Sequence, residues 1–184
     1  TPIVMKSPGS PHKEILRIWP VYCYVKLYEQ YSKAATRDKR YLDYANRYFN
    51  TALQTVKKLD QTPPPRQSGE YSLYKLVRAL IRVQYARRFE AQGSPVQAAE
   101  YYRQSVLEVT EGIISARVGL SWLPESLMMA GNAYEKLELF DPARNIYKQV
   151  LIFFKSTKWE ALSERRLAEL PPPGAEDGGV DPAP

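Results

Sequence analysis

Residues 124–157 read PESLMMAGNAYEKLELFDPARNIYKQVLIFFKST, and this stretch decides the fold. Pro124 suits the first turn of a helix, where a missing N–H costs nothing. Leu127, Ala130, Gly131, Tyr134 and Leu137 then recur on one helical face. Asp141-Pro142 is expected to cap a second helix, which carries Ala143, Ile146, Tyr147, Val150 and Phe154 on its apolar side. The small residues Gly131 and Ala143 let two antiparallel helices approach closely, and Tyr134 and Tyr147 fill the space beside them. One such pair cannot cover its own apolar face, so pairs must stack on pairs.

Working outward, the same grammar continues. Thr157-Lys158-Trp159-Glu160 forms a capping box opening a last helix with Trp159, Leu162, Leu167 and Leu170, ended by Pro171, Pro172 and Pro173. The tail 171–184 is rich in Pro, Gly and acid and reads as disordered. Upstream, Ser94-Pro95-Val96-Gln97 reads as another capping box. The stripe Ala98, Tyr102, Val106, Val109, Ile113, Ala116, Leu120 predicts a helix to about residue 121, with a break near Gly112 as the alternative. A helix is predicted from Tyr71 to Ala91, stopped by Gly93. Residues 60–70, with Pro63, Pro64, Pro65 and Gly69, form a break in the array.

Before that break, Leu42, Ala45, Phe49, Ala52, Val56 and Leu59 make one stripe, and Val21, Tyr24, Val25, Tyr28, Tyr31 and Ala35 another. A preceding short helix starts at Ser10-Pro11 and is ended or kinked by Pro20. Residues 1–10 read as an irregular arm. The domain therefore spans 11–170, and every element is a helix with mostly short connections, so neighbours should run antiparallel.

Composition narrows the chemistry. The chain has 184 residues, a formal charge of +6, 14 tyrosines and one cysteine, Cys23. One cysteine permits no internal disulfide, which fits a reducing compartment or a bacterial periplasm. The basic residues are dispersed without a run of five, which speaks against nucleic acid. No apolar stretch is long enough to span a membrane. The chain begins at Thr1, which reads as a processed or shortened form, in which any leader would be out of view. His12 is the sole histidine, so no usual zinc ligand set exists. No phosphate-binding glycine loop and no nucleophile–base pair appears, so neither catalytic residue nor cofactor is expected.

Residues 79–112 repeat the pattern of 124–157 through Ala86, Phe89, Gly93, Ala98, Tyr102 and Ser105, and Ala45, Phe49 and Ala52 match its second helix. On these positions the chain resembles the tetratricopeptide family over residues 20–170, although Ala45, Ala98 and Ala143 are spaced by 53 and 45 residues, not that family's 34. The resemblance implies an all-α array of about three helix hairpins plus a C-terminal capping helix. Residues 154–159 and 165–170 are similar to the closing repeat of bacterial cell-envelope members, which leans the location toward the periplasm. It also implies a non-enzymatic scaffold that holds a protein or peptide in a concave groove lined by the first helix of each pair. Arg78, Arg82, Tyr85 and Arg87 are the candidate partner-binding residues there, since Arg and Tyr favour interfaces; Asn132 is a further candidate. The companion positions of the family's carboxylate clamp hold Arg87, Val83 and Met128, so that clamp is rejected. Three readings remain: a groove binder, an accessory subunit packed on partners by flat Tyr-rich faces, and a basic RNA-binding repeat.

Overall fold

The computed structural model describes residues 13–66, 68–116 and 121–173. Seven helices and no strand occur among them: α1 (Lys13–Ala35), α2 (Tyr41–Gln61), α3 (Gly69–Ala91), α4 (Pro95–Ser115), α5 (Leu123–Lys136), α6 (Phe140–Phe153) and α7 (Lys158–Glu169). They form three hairpins, α1/α2, α3/α4 and α5/α6, with α7 packed on the last. The hairpins stack through α1 on α3, α4 on α5 and, more lightly, α3 on α5. This is the stacking that an apolar face too broad for one hairpin demands.

The small residues sit where the helices touch. Ala45, Ala52, Ala86 and Ala143 are wholly buried, and Ala98 and Gly131 nearly so. Phe49, Tyr102 and Tyr147 are buried beside them, while Phe89 and Tyr134 are half-buried at the margin. Phe89 stacks on Tyr101 at 5.4 Å. Arg88 lies over Phe49 and Tyr28, at 4.0 and 5.3 Å from the ring centroids, so a cation from α3 closes the aromatic layer between α1 and α2.

Several boundaries differ from expectation. The helix expected to stop or kink at Pro20 runs unbroken from Lys13 to Ala35. Ile18, Val21 and Val25 around the proline are wholly buried, and that burial outweighs the lost backbone bond. The helix expected to reach residue 121 ends at Ser115. It passes through Gly112, where an added Cβ would lie 2.8 Å from the Lys75 Cβ and 3.2 Å from the Ser72 carbonyl oxygen. The glycine is therefore a point of close contact between α3 and α4, not a break. Leu120 lies outside the described residues, as do His12, Ser10-Pro11 and the tail from 174.

The caps also differ. Ser94 makes no side-chain cap bond, so the expected box with Gln97 does not form. Gly93 at φ +70° supplies the turn instead. α6 begins at Phe140, which puts Asp141 in the first turn rather than at the cap. Thr157 does cap α7, accepting from the Trp159 N–H at 3.2 Å, while Glu160 reaches the Ser156 N–H at 2.6 Å, one residue short of the box geometry.

Candidate functional site

A groove of about 290 Å³ opens on the side of the array where α1, α3, α5 and α7 converge. Its floor is apolar: Leu80 and Val83 from α3, Met128, Met129 and Ala133 from α5, and Trp159 and Leu162 from α7. Methionine is the floor's adaptable component, because its unbranched thioether re-packs readily. The Ser163 hydroxyl, wholly buried behind the floor, lies 2.9 Å from the Met128 Sδ and holds α7 against α5.

Charged side chains line the walls. Lys26 of α1 bridges Glu29 at 3.2 Å and Glu125 of α5 at 2.5 Å. The Tyr22 hydroxyl donates to the same Glu125 at 2.6 Å, so α1 and α5 are tied together across the face of α3. Burial would lower the Lys26 pKa, but Glu29 and Glu125 outweigh it and raise it. Gln84, almost wholly buried, donates to Glu29 at 2.8 Å. The Tyr102 hydroxyl donates to Glu90 at 3.0 Å, and Lys136 pairs with that carboxylate at 2.9 Å. Burial first, and Glu90 second, push the Tyr102 hydroxyl well above its ordinary range.

The five candidate partner-binding residues fall in two places. Arg87 and Asn132 line the groove. Arg87 is 56% exposed and touches Glu29 only at 3.5 Å and Gln84 at 3.4 Å. The Asn132 side-chain amide lies 2.8 Å from the Tyr147 hydroxyl, beside Glu135, so it faces a protein partner. Arg78, Arg82 and Tyr85 lie elsewhere, on the seam between α2 and α3 around a shallower hollow with Leu53, Val56 and Asp60. Arg78 pairs with Asp60 at 2.6 Å and Glu108 at 2.8 Å and lies over the Tyr74 ring at 5.6 Å. It serves as a strut joining α2, α3 and α4. Tyr85 stands between Phe49 and Tyr101, 5.4 and 5.3 Å from their rings.

The groove also has residues that the sequence reading did not single out. From sequence, Met128 counts only as a departure from a clamp, and Met129 and Lys26 carry no site signal. Trp159, Leu162 and Arg166 of α7 share one helical face at steps of three and four, a signal legible in sequence that a capping helix also produces.

Among the described residues no cluster of three or more His, Cys, Asp or Glu is placed to hold a metal ion, and no helix is long and apolar enough to cross a membrane. No protein-family model matches the chain, and neither a curated protein nor a solved structure is significantly similar to it.

Proposed function

We propose that this chain is a tetratricopeptide-like interaction scaffold that holds a segment of another polypeptide in the groove between α1, α3, α5 and α7. One observation carries the reading: a hollow walled by charge has an apolar floor contributed by three different helices, with Trp159 and Leu162 of α7 its partly exposed members. An apolar floor with polar walls is the arrangement that peptide-binding clefts use, the floor supplying affinity and the walls register. The opening is small for a metabolite site but admits a few side chains of a chain running past it.

Site-directed photo-crosslinking tests it. A photoreactive side chain at Lys136 on the groove rim, compared with one at Arg103 on the outer face of α4, is irradiated in native lysate. The reading expects a discrete cross-linked polypeptide from position 136 and none from 103. Equal labelling at both positions, or labelling from 103 alone, contradicts it.

A second reading rests on a separate observation. Val96, Leu107 and Ile114 are 77%, 71% and 80% exposed, and steps of 11 and 7 place them on one face of α4. A permanent partner covering that face would make the chain an accessory subunit. In that case Leu107→Lys with Ile114→Lys should leave the isolated chain folded and abolish co-purification of the partner.

A further inference from the structure

We infer that the groove selects a polypeptide segment in which a bulky apolar side chain adjoins an aspartate or glutamate; this rests on the groove reading above and goes beyond it by naming the partner's chemistry. The argument is an account of which wall charges are already committed. Each groove carboxylate accepts a short bond from the protein itself. Glu29 takes the Gln84 amide at 2.8 Å, Glu125 takes Lys26 at 2.5 Å and Tyr22 at 2.6 Å, and Glu135 takes the Tyr147 hydroxyl at 2.6 Å.

The groove's guanidiniums are not so committed. Arg87 has only contacts of 3.4 and 3.5 Å, at the limit of what counts as a hydrogen bond. Arg166 of α7 reaches Glu169 at 3.3 Å and Glu135 at 3.7 Å, and its Nε is covered by protein with no hydrogen-bond partner. A committed arginine–carboxylate pair closes to about 2.7–2.9 Å, often in two-point fashion. The covered Arg166 Nε is out of a ligand's reach, while Arg87 and the terminal Nη groups of Arg166 retain donor capacity at the edge of an apolar floor. An incoming carboxylate can use it without breaking anything short. An incoming lysine or arginine would meet Glu29 and Glu125 with both oxygens already engaged, and only the Glu135 Oε2 without a bond shorter than 3.7 Å. Complementarity therefore favours a negative segment, and the floor between Leu80 and Leu162 requires an apolar anchor beside that charge.

The test is selection from a displayed library of random short peptides on the folded full chain, followed by affinity measurement by fluorescence anisotropy at low and high salt. The inference expects selected peptides to place Asp or Glu next to Leu, Ile, Phe or Met. It expects Arg87→Glu, at an exposed position whose change should leave the melting curve intact, to weaken them about tenfold. Arg103→Glu on the outer face should leave affinity unchanged, and high salt should weaken binding. Arg87→Gln with Arg166→Gln should show an intermediate loss if α7 stays folded. Selected peptides without acidic preference, or full affinity in Arg87→Glu, overturn this inference and leave the groove reading standing. A folded chain that selects no peptide overturns both.

Discussion

The ring of Tyr147 lies on the bare backbone of Gly131. A Cβ built at Gly131 would fall 2.7 Å from the ring's Cζ, and the ring cannot retreat, because Tyr147 is wholly buried and its hydroxyl donates to Glu135 at 2.6 Å. Gly131→Ala therefore sets an overpacking cost of about 1–3 kcal/mol against at most ~1 kcal/mol of gained helix propensity. The expected outcome is a net loss of up to about 2 kcal/mol on urea denaturation. A gain in stability would mean that α5 and α6 are farther apart than described.

Arg78 and Arg82 should part company on mutation. Arg78 joins Asp60, Glu108 and the Tyr74 ring, and removing it leaves Glu108, itself largely buried, with Lys75 as its remaining cation at 2.7 Å. Arg78→Met should cost about 1–3 kcal/mol, less than a fully buried pair because the site is partly wet. Arg82→Met, at the rim of the seam, should stay within about 0.5 kcal/mol of the parent. Thermal melts of the two variants decide it.

Pro20 sits inside α1 without the backbone donor that its position calls for. Interior proline costs an α-helix about 3 kcal/mol, partly recovered through a stiffer unfolded chain. Pro20→Ala is expected to raise the unfolding midpoint by an amount equivalent to about 1–2 kcal/mol. A lowered midpoint would show that the local shape imposed by the proline is needed for packing against α2 and α3.

Stability should fall at both ends of the pH scale, for separate reasons. Burial and the bond to Asp60 push the Tyr74 hydroxyl from 10.0 up to about 12. Burial also raises Tyr71, Tyr22 and Tyr102. Above pH 10 the unfolded chain sheds protons that the native chain keeps, so this contribution is whole below 10 and is lost as pH rises toward 12. At the acid end, hydrogen bonds from Lys75 and Tyr71 hold the Glu111 carboxyl below its ordinary 4.5. Its contribution is present above 4.5 and lost as pH falls through the lowered value. Denaturant titrations across pH should show a plateau between these limits, and Tyr74→Phe should flatten the alkaline decline.

What the sequence disclosed was whatever short-range periodicity encodes. Ala45, Phe49, Ala98, Tyr102, Ala143 and Tyr147 announced themselves as contact positions, because close helix pairs demand a small residue and an aromatic at fixed helical steps. What depended on distant neighbours was hidden. Gly112 looks like a weak point in isolation and becomes a contact only once Ser72 and Lys75 are placed against it. Pro20 looks like a stop until the burial of Ile18, Val21 and Val25 is known. The arginines of α3 are the clearest case. Arg78, Arg82 and Arg87 lie within ten positions, yet a helix turns about 100° per residue, so they divide between two faces. Which face becomes the groove is set by α1, α5 and α7, and no local pattern records that.

The three methionines allow the most direct test of the central claim. Met128 and Met129 form part of the groove floor, and Met5 is the third. In the protein labelled with carbon-13 at the methionine methyls, NMR signals are followed while an apolar–acidic peptide from the selection is added. The account predicts that the Met128 and Met129 signals, assigned by Met128→Leu and Met129→Leu, shift in a saturable way and that the shift is lost in Arg87→Glu. Saturable peptide binding that leaves both of these signals in place would contradict it.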